Sequence, residues 1–116
     1  MSDIFTRIEQ LKRDRNAVFL AHYYQDPDIQ DVADFVGDSL ALAQIAKEVK
    51  EDVILFCGVH FMCETVKIIN PNKRVILPDL NAGCSLADSA PASSIKKWID
   101  LHHKCKVISY INCSAE

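Results

Sequence analysis

Apolar residues fall into two alternating rhythms along this chain. Ile4, Ile8 and Leu11, with Phe5 alongside, recur at helical spacing and predict an amphipathic helix over residues 3–14, with Ser2 placed to cap it. The rhythm then changes to the largely apolar run AVFLAHYY, residues 17–24, which predicts a buried strand closed by the turn-forming QDPD. Beyond Pro27, DIQDVADFV returns to helical spacing and stops at Gly37. Asp38 and Ser39 can cap a further helix, LALAQIAKEVK, rich in Ala and Leu.

The alternation continues to the end. VILFC (53–57) predicts a second strand, and HFMCETVKIIN a helix that ends at Asn70-Pro71. RVILP (74–78) predicts a third strand, PASSIKKWIDLHH a helix with Pro91 in its first turn, and KVISYIN (106–112) a fourth strand. Continuous apolar strands alternating with helices are the pattern of a parallel sheet covered on both faces. The predicted fold class is therefore α/β, a three-layer α/β/α unit with a short parallel sheet.

Composition narrows the partners. The chain has 116 residues, 49% hydrophobic and 25% charged, with a formal net charge of −3, which suits one compact soluble domain. No Lys/Arg block offers a footprint for nucleic acid or for an anionic membrane, and no apolar run approaches the roughly 20 residues that span a bilayer. With no signal-peptide pattern at its start, the chain is expected in the cytoplasm. Its five cysteines are an odd number without scaffold density, so reduced thiols or a metal site are expected rather than a disulfide framework.

In an open parallel sheet, ligands gather at the carboxyl ends of the strands. The predicted strands are followed there by HYYQ, CGVHFM, DLNAGCS and SYIN, whereas the opposite connections, RDRN, KED, NPNK and HHKC, are mostly charged or turn-forming. His22, Tyr24, His60, Cys84, Tyr110 and Asn112 should converge on one edge, joined by Asp38 and Ser39 at a helix start. Such imidazole, phenol and hydroxyl groups can bind a polar metabolite and move protons on it. Packing is the commoner role for His22 and Tyr23 at a strand end, and in a strand only one of Tyr23 and Tyr24 can lie on each face. Cys57, Cys63 and Cys105 read as small buried hydrophobes, while Cys84, between Gly83 and Ser85 in a polar loop, is the thiol most open to ligation. No C-x-x-C pair, H-E-x-x-H, P-loop or G-x-G-x-x-G is present.

AHYYQ, VADFVGDSLALAQIA, VILFCGVHFM, NPNKRVILPDLNAGCSLADS and VISYIN, in this order and spacing, resemble quinolinate synthase. The resemblance covers about the first third of that family's chain. It implies the first of three similar α/β/α domains, residues 1–86, followed by the truncated start of the second, residues 87–116. It also implies condensation of iminosuccinate (iminoaspartate) with dihydroxyacetone phosphate to quinolinate in NAD biosynthesis, with L-aspartate oxidase as upstream supplier. The implied cofactor is a [4Fe-4S] cluster held by three cysteines, of which Cys84 matches the first. His22, Asp38, Ser39, Met62, Tyr110 and Asn112 would bind substrate, with Tyr24 and His22 catalytic. Two cluster ligands would lie in the missing C-terminal domains of the same protein, so this stretch alone is expected to be inactive. Cys63 stands where the family more usually has alanine. The competing expectation is a stand-alone α/β module that captures a dicarboxylate or phosphorylated metabolite without chemistry.

Overall fold

A computed structural model describes residues 2–116. The elements run α1 (Ser2–Asp14), β1 (Ala17–His22), α2 (Pro27–Val32), β2 (Phe35–Gly37), α3 (Ser39–Glu48), β3 (Val53–Cys57), α4 (His60–Ile69), β4 (Arg74–Ile76), α5 (Ser85–Asp88) and α6 (Ala92–Leu101). The expected cap by the Ser2 side chain lies outside the described residues. The fold is α/β: four strands form one parallel sheet in the order β2-β1-β3-β4.

The central strands are buried on both faces, which is why they read as unbroken apolar runs. From β1 and β3, Val18, Leu20, Ile54 and Phe56 point one way, against Leu42 and Ala46 of α3 and Cys63 and Val66 of α4. Phe19, Ala21 and Cys57 point the other way, against Val32 of α2 and Phe5 and Ile8 of α1. The helices thus make the two outer layers of the expected sandwich. Among the described residues, no helix is long and apolar enough to cross a membrane.

Two elements differ from the sequence reading. The predicted helix over DIQDVADFV stops at Val32, and Phe35–Gly37 instead pairs with Leu20–His22 as edge strand β2. Asp34 drives the switch. Its backbone N–H donates to Phe19 O at 2.8 Å, its Oδ2 accepts from Phe19 N–H at 2.8 Å, and its Oδ1 lies 2.7 Å from Lys12 Nζ. Lys12 also binds Glu9, and these carboxylates hold its pKa above the ordinary lysine value although burial pulls the other way. Helical spacing alone could not reveal that an acidic residue would be drawn onto the sheet edge.

The second difference is the predicted strand 106–112, which forms no strand. A strand exists through its ladder partners, and none lies beside this stretch; Ile108 is 95% exposed. No residue after Asn70 is buried, and the radius of gyration of 16.8 Å exceeds the roughly 13 Å of a compact domain of this size. Cys105, read from sequence as a buried hydrophobe, is exposed for the same reason, whereas Cys57 and Cys63 are buried. β4 and α6 are also shorter than predicted, and Pro91 sits at the N-cap of α6 rather than within its first turn.

Gly58 ends β3 where no side chain fits. A Cβ there would lie 2.6 Å from Cε1 of Phe56, a ring without exposed surface, and 3.5 Å from the His22 Cβ. Gly58→Ala is expected to cost about 1–3 kcal/mol through overpacking. Urea unfolding should show a lower midpoint with an unchanged slope; an unchanged midpoint would mean that the Phe56 ring has room to move.

Candidate functional site

Parallel strands deliver every post-strand loop to one edge, and a cleft of about 630 Å³ lies there. It is lined by His22, Tyr23 and Tyr24 after β1, by Asp38, Ser39 and Leu40 at the start of α3, by Phe61, Met62 and Thr65 of α4, and by Tyr110, Ile111 and Asn112. His22, Tyr24, Asp38, Ser39, Met62, Tyr110 and Asn112 are thereby brought together. His60 and Cys84 are not among the lining residues. The cleft is polar on the β1 and α3 side and apolar where Phe61 and Met62 face it, a composition suited to a small polar metabolite.

Each polar group is set by local structure. Asp38 caps α3, its Oδ1 accepting the Ala41 N–H at 2.8 Å, so this carboxylate is already engaged. β1 stops at His22 because Gln25 N–H closes a turn onto His22 O at 2.9 Å. The expected alternation of Tyr23 and Tyr24 therefore does not apply, and both line the cleft. Tyr24 is 79% exposed and Tyr23 47%.

His22 is 5% exposed. Burial lowers its pKa from the ordinary imidazole value, an effect that the nearby Asp38 carboxylate opposes. Its Nδ1 accepts the Tyr24 backbone N–H at 3.2 Å, so the neutral ring carries its proton on Nε2. The hydrogen-bonding group that His22 has left for a ligand is a donor. Sequence spacing could not disclose this, because the acceptor role of Nδ1 depends on the turn that follows.

Cys84 precedes the four-residue α5, in extended backbone and half-buried. Its loop is fastened to the cleft-lining α4, since His60 N–H donates to Ala82 O at 2.7 Å. Asp79 organises the loop from within by accepting the Asn81 N–H at 2.9 Å. Among the described residues, no cluster of three or more His, Cys, Asp or Glu side chains is placed to hold a metal ion. Cys57 is buried with its pKa raised to about 11, and burial raises that of Cys63 as well. Among the described residues, the half-buried loop thiols near the carboxyl edge are Cys84 and Cys113, the latter directly after the cleft-lining Asn112.

A second cavity, of about 570 Å³, lies at the amino-terminal edge and includes Glu9, Lys12, Arg13 and Asp34 in its lining. Its Lys12 is already paired with Glu9 and Asp34, which leaves the carboxyl-edge cleft as the better ligand site.

Fold and cleft together define an α/β unit that presents a metabolite-sized site at the carboxyl edge of a parallel sheet, beside a loop thiol. The sequence profile of the quinolinate synthetase A protein family matches residues 6–116. The chain is 63% identical over 115 residues to the quinolinate synthase of Rippkaea orientalis, covering 99% of this chain and 35% of that protein. It is 62% identical over 114 residues to the quinolinate synthases of Gloeothece citriformis and Chloroherpeton thalassium, covering 98% of this chain and 35% of each. The chain belongs to the quinolinate synthase family, and it spans about a third of the length of these relatives.

Two outcomes follow from the site geometry. With the folded-state pKa of His22 below its unfolded value of about 6.5, the unfolded chain takes up more protons as pH falls through that window, so folding stability present above pH 6.5 is lost below it. Urea midpoints should therefore fall more between pH 7.5 and 5.5 for wild type than for His22→Asn; equal losses would remove His22 as the cause. Alkylation with iodoacetamide, read by mass spectrometry on the folded chain, should modify Cys84 and Cys105 well before Cys57 and Cys63. Modification of all four at one rate would contradict the burial pattern.

Proposed function

We propose that this chain is the substrate-cradling unit of a quinolinate synthase, the first of three similar domains. Such an enzyme condenses iminosuccinate with dihydroxyacetone phosphate to quinolinate, with loss of phosphate and water. The observation that carries the proposal is the convergence of His22, Tyr24, Asp38, Ser39, Met62, Tyr110 and Asn112 on one cleft, beside a loop bearing Cys84. A diacid matches this donor set. Nε2–H of His22, the Ser39 hydroxyl, the Tyr110 phenol and the Asn112 amide can all donate to carboxylate oxygens. The start of α3 adds the partial positive charge of a helix N-terminus on the same side.

Tyr24 is the proton carrier in this reading. Its phenol can give and recover a proton as enamine and carbonyl intermediates interconvert, while neutral His22 holds the substrate in place. Phe61 and Met62 shield the reacting carbons from water on the α4 side. Asp38 holds α3 in position through Oδ1, and its second oxygen is left to accept a hydrogen bond from substrate in the cleft.

The donor set suits one corner of an iron–sulfur cluster and no more. Cys84 is an accessible thiol that could ligate a [4Fe-4S] cluster, with the other thiolates supplied by the C-terminal domains of the longer protein. Once bound, such a cluster with an open iron supplies a Lewis acid for the substrate. Iminosuccinate would come from L-aspartate oxidase, and the enzyme would work in the cytoplasm on the route to NAD.

The test is a chimera in which this chain replaces the matching segment of the Rippkaea orientalis enzyme, reconstituted anaerobically beside the chain alone. The chimera is expected to bind cluster and form quinolinate. Cys84→Ala should abolish cluster binding, and Tyr24→Phe should spare it while lowering kcat by about 10²-fold or more. The chain alone should bind no stoichiometric cluster. A folded, cluster-loaded chimera that makes no quinolinate would defeat the proposal. Binding of a dicarboxylate by that inactive chimera would favour a capture module instead.

A further inference from the structure

Tyr23 entered neither the sequence-derived site nor the roles that the family resemblance implies, yet it lines the cleft from a firmly held backbone. Its backbone is held from both sides: Tyr23 N–H donates to Gly37 O at 3.0 Å, and Gln30 Nε2 donates to Tyr23 O at 3.0 Å. Its ring stacks on His22 at a centroid distance of 4.6 Å with 24° between planes. It also lies 4.4 Å from the Tyr24 ring, tilted by 52°. Tyr24 completes the cluster at 4.8 Å from His22.

The consequence concerns Tyr24. A ring that is 79% exposed has little packing to fix its rotamer, and its ring partners among the described residues are His22 and Tyr23. His22 in turn depends on a ring to cover its solvent side. From this geometry we infer that Tyr23 is a positioning residue: its pinned backbone makes its ring a fixed platform that covers His22 and orients Tyr24 over the cleft. The phenols of Tyr23 and Tyr24 also share a hydrogen bond, which is the main reason the Tyr23 pKa lies above the ordinary tyrosine value. Aromatic pairs of this kind contribute about 0.5–1.5 kcal/mol each beyond area burial, enough to select one rotamer over its competitors.

This inference deepens the quinolinate synthase reading and rests on it for its catalytic meaning, but its test needs no turnover. The experiment follows the His22 Cε1–H resonance through a pH titration and records the Tyr24 ring shifts, in wild type, Tyr23→Phe and Tyr23→Leu. Asp38, the charged group that faces His22 from α3, is unchanged in all three. Tyr23→Leu removes the platform. The His22 pKa should then rise toward its ordinary value of about 6.5, and the Tyr24 ring protons should move to the shifts of a free tyrosine. Tyr23→Phe keeps the platform and should leave His22 as in wild type, which also serves if the leucine variant folds poorly. Wild-type His22 and Tyr24 signals in folded Tyr23→Leu would overturn the inference. So would a His22 shift in Tyr23→Phe equal to that in the leucine variant. Neither result depends on whether the chimera makes quinolinate, so the two readings fail separately.

Discussion

The cleft depends on the parallel ladder between β1 and β3. Ala17 to Ala21 pair in register with Val53 to Cys57, so His22 and Gly58 emerge side by side at one edge of the sheet. A slip of one residue would exchange the faces of the sheet, sending Val18 and Leu20 toward α1 and Phe19 and Ala21 toward α3. It would also carry His22 away from Asp38 and Ser39. The register is fixed because both faces of both strands are filled, and Gly58 keeps the end of the ladder close by leaving out a side chain where Phe56 and His22 meet.

What the sequence disclosed follows from that constraint. β1 and β3 were legible because strands buried on both faces are apolar throughout, and α1, α3 and α4 because each has one apolar face over the sheet. The carboxyl-edge residues could be named because topology, rather than side-chain detail, brings them together. β2 was hidden: its three residues continue a helical spacing, and long-range pairing with Leu20–His22, anchored by the contacts of Asp34 with Phe19 and Lys12, makes it a strand. The failure at 106–112 is of the opposite kind. Its residues have strand character, but pairing belongs to a neighbour as much as to the stretch itself, and Ile108 and Tyr110 meet none.

The site detail that sequence could not supply is all local backbone geometry. The turn after His22 puts Tyr23 and Tyr24 on the same cleft and aims the Tyr24 N–H at Nδ1. That one hydrogen bond converts a histidine that could be read as a base into a donor. The capping role of Asp38, by contrast, was legible in the sequence, where Asp38 and Ser39 precede an Ala- and Leu-rich run.

The cleft therefore joins two unequal halves. His22 and the start of α3 are held by the packed sheet, whereas Tyr110, Ile111 and Asn112 come from a stretch tied to the body by the hydrogen bond from Ala115 N–H to Glu64 Oε2 at 2.7 Å. Local stability follows local packing, so the first half should keep its shape without ligand while the second opens at little cost. Ligand contacts to Tyr110 and Asn112 must then offset the ordering of their backbone, at about 1–2 kcal/mol per residue, before they add affinity. Any neighbour that orders residues 106–112 in advance removes that cost and tightens binding without touching the ligand. Affinity in this cleft is thus set as much by what packs against its outer wall as by the donors that line it.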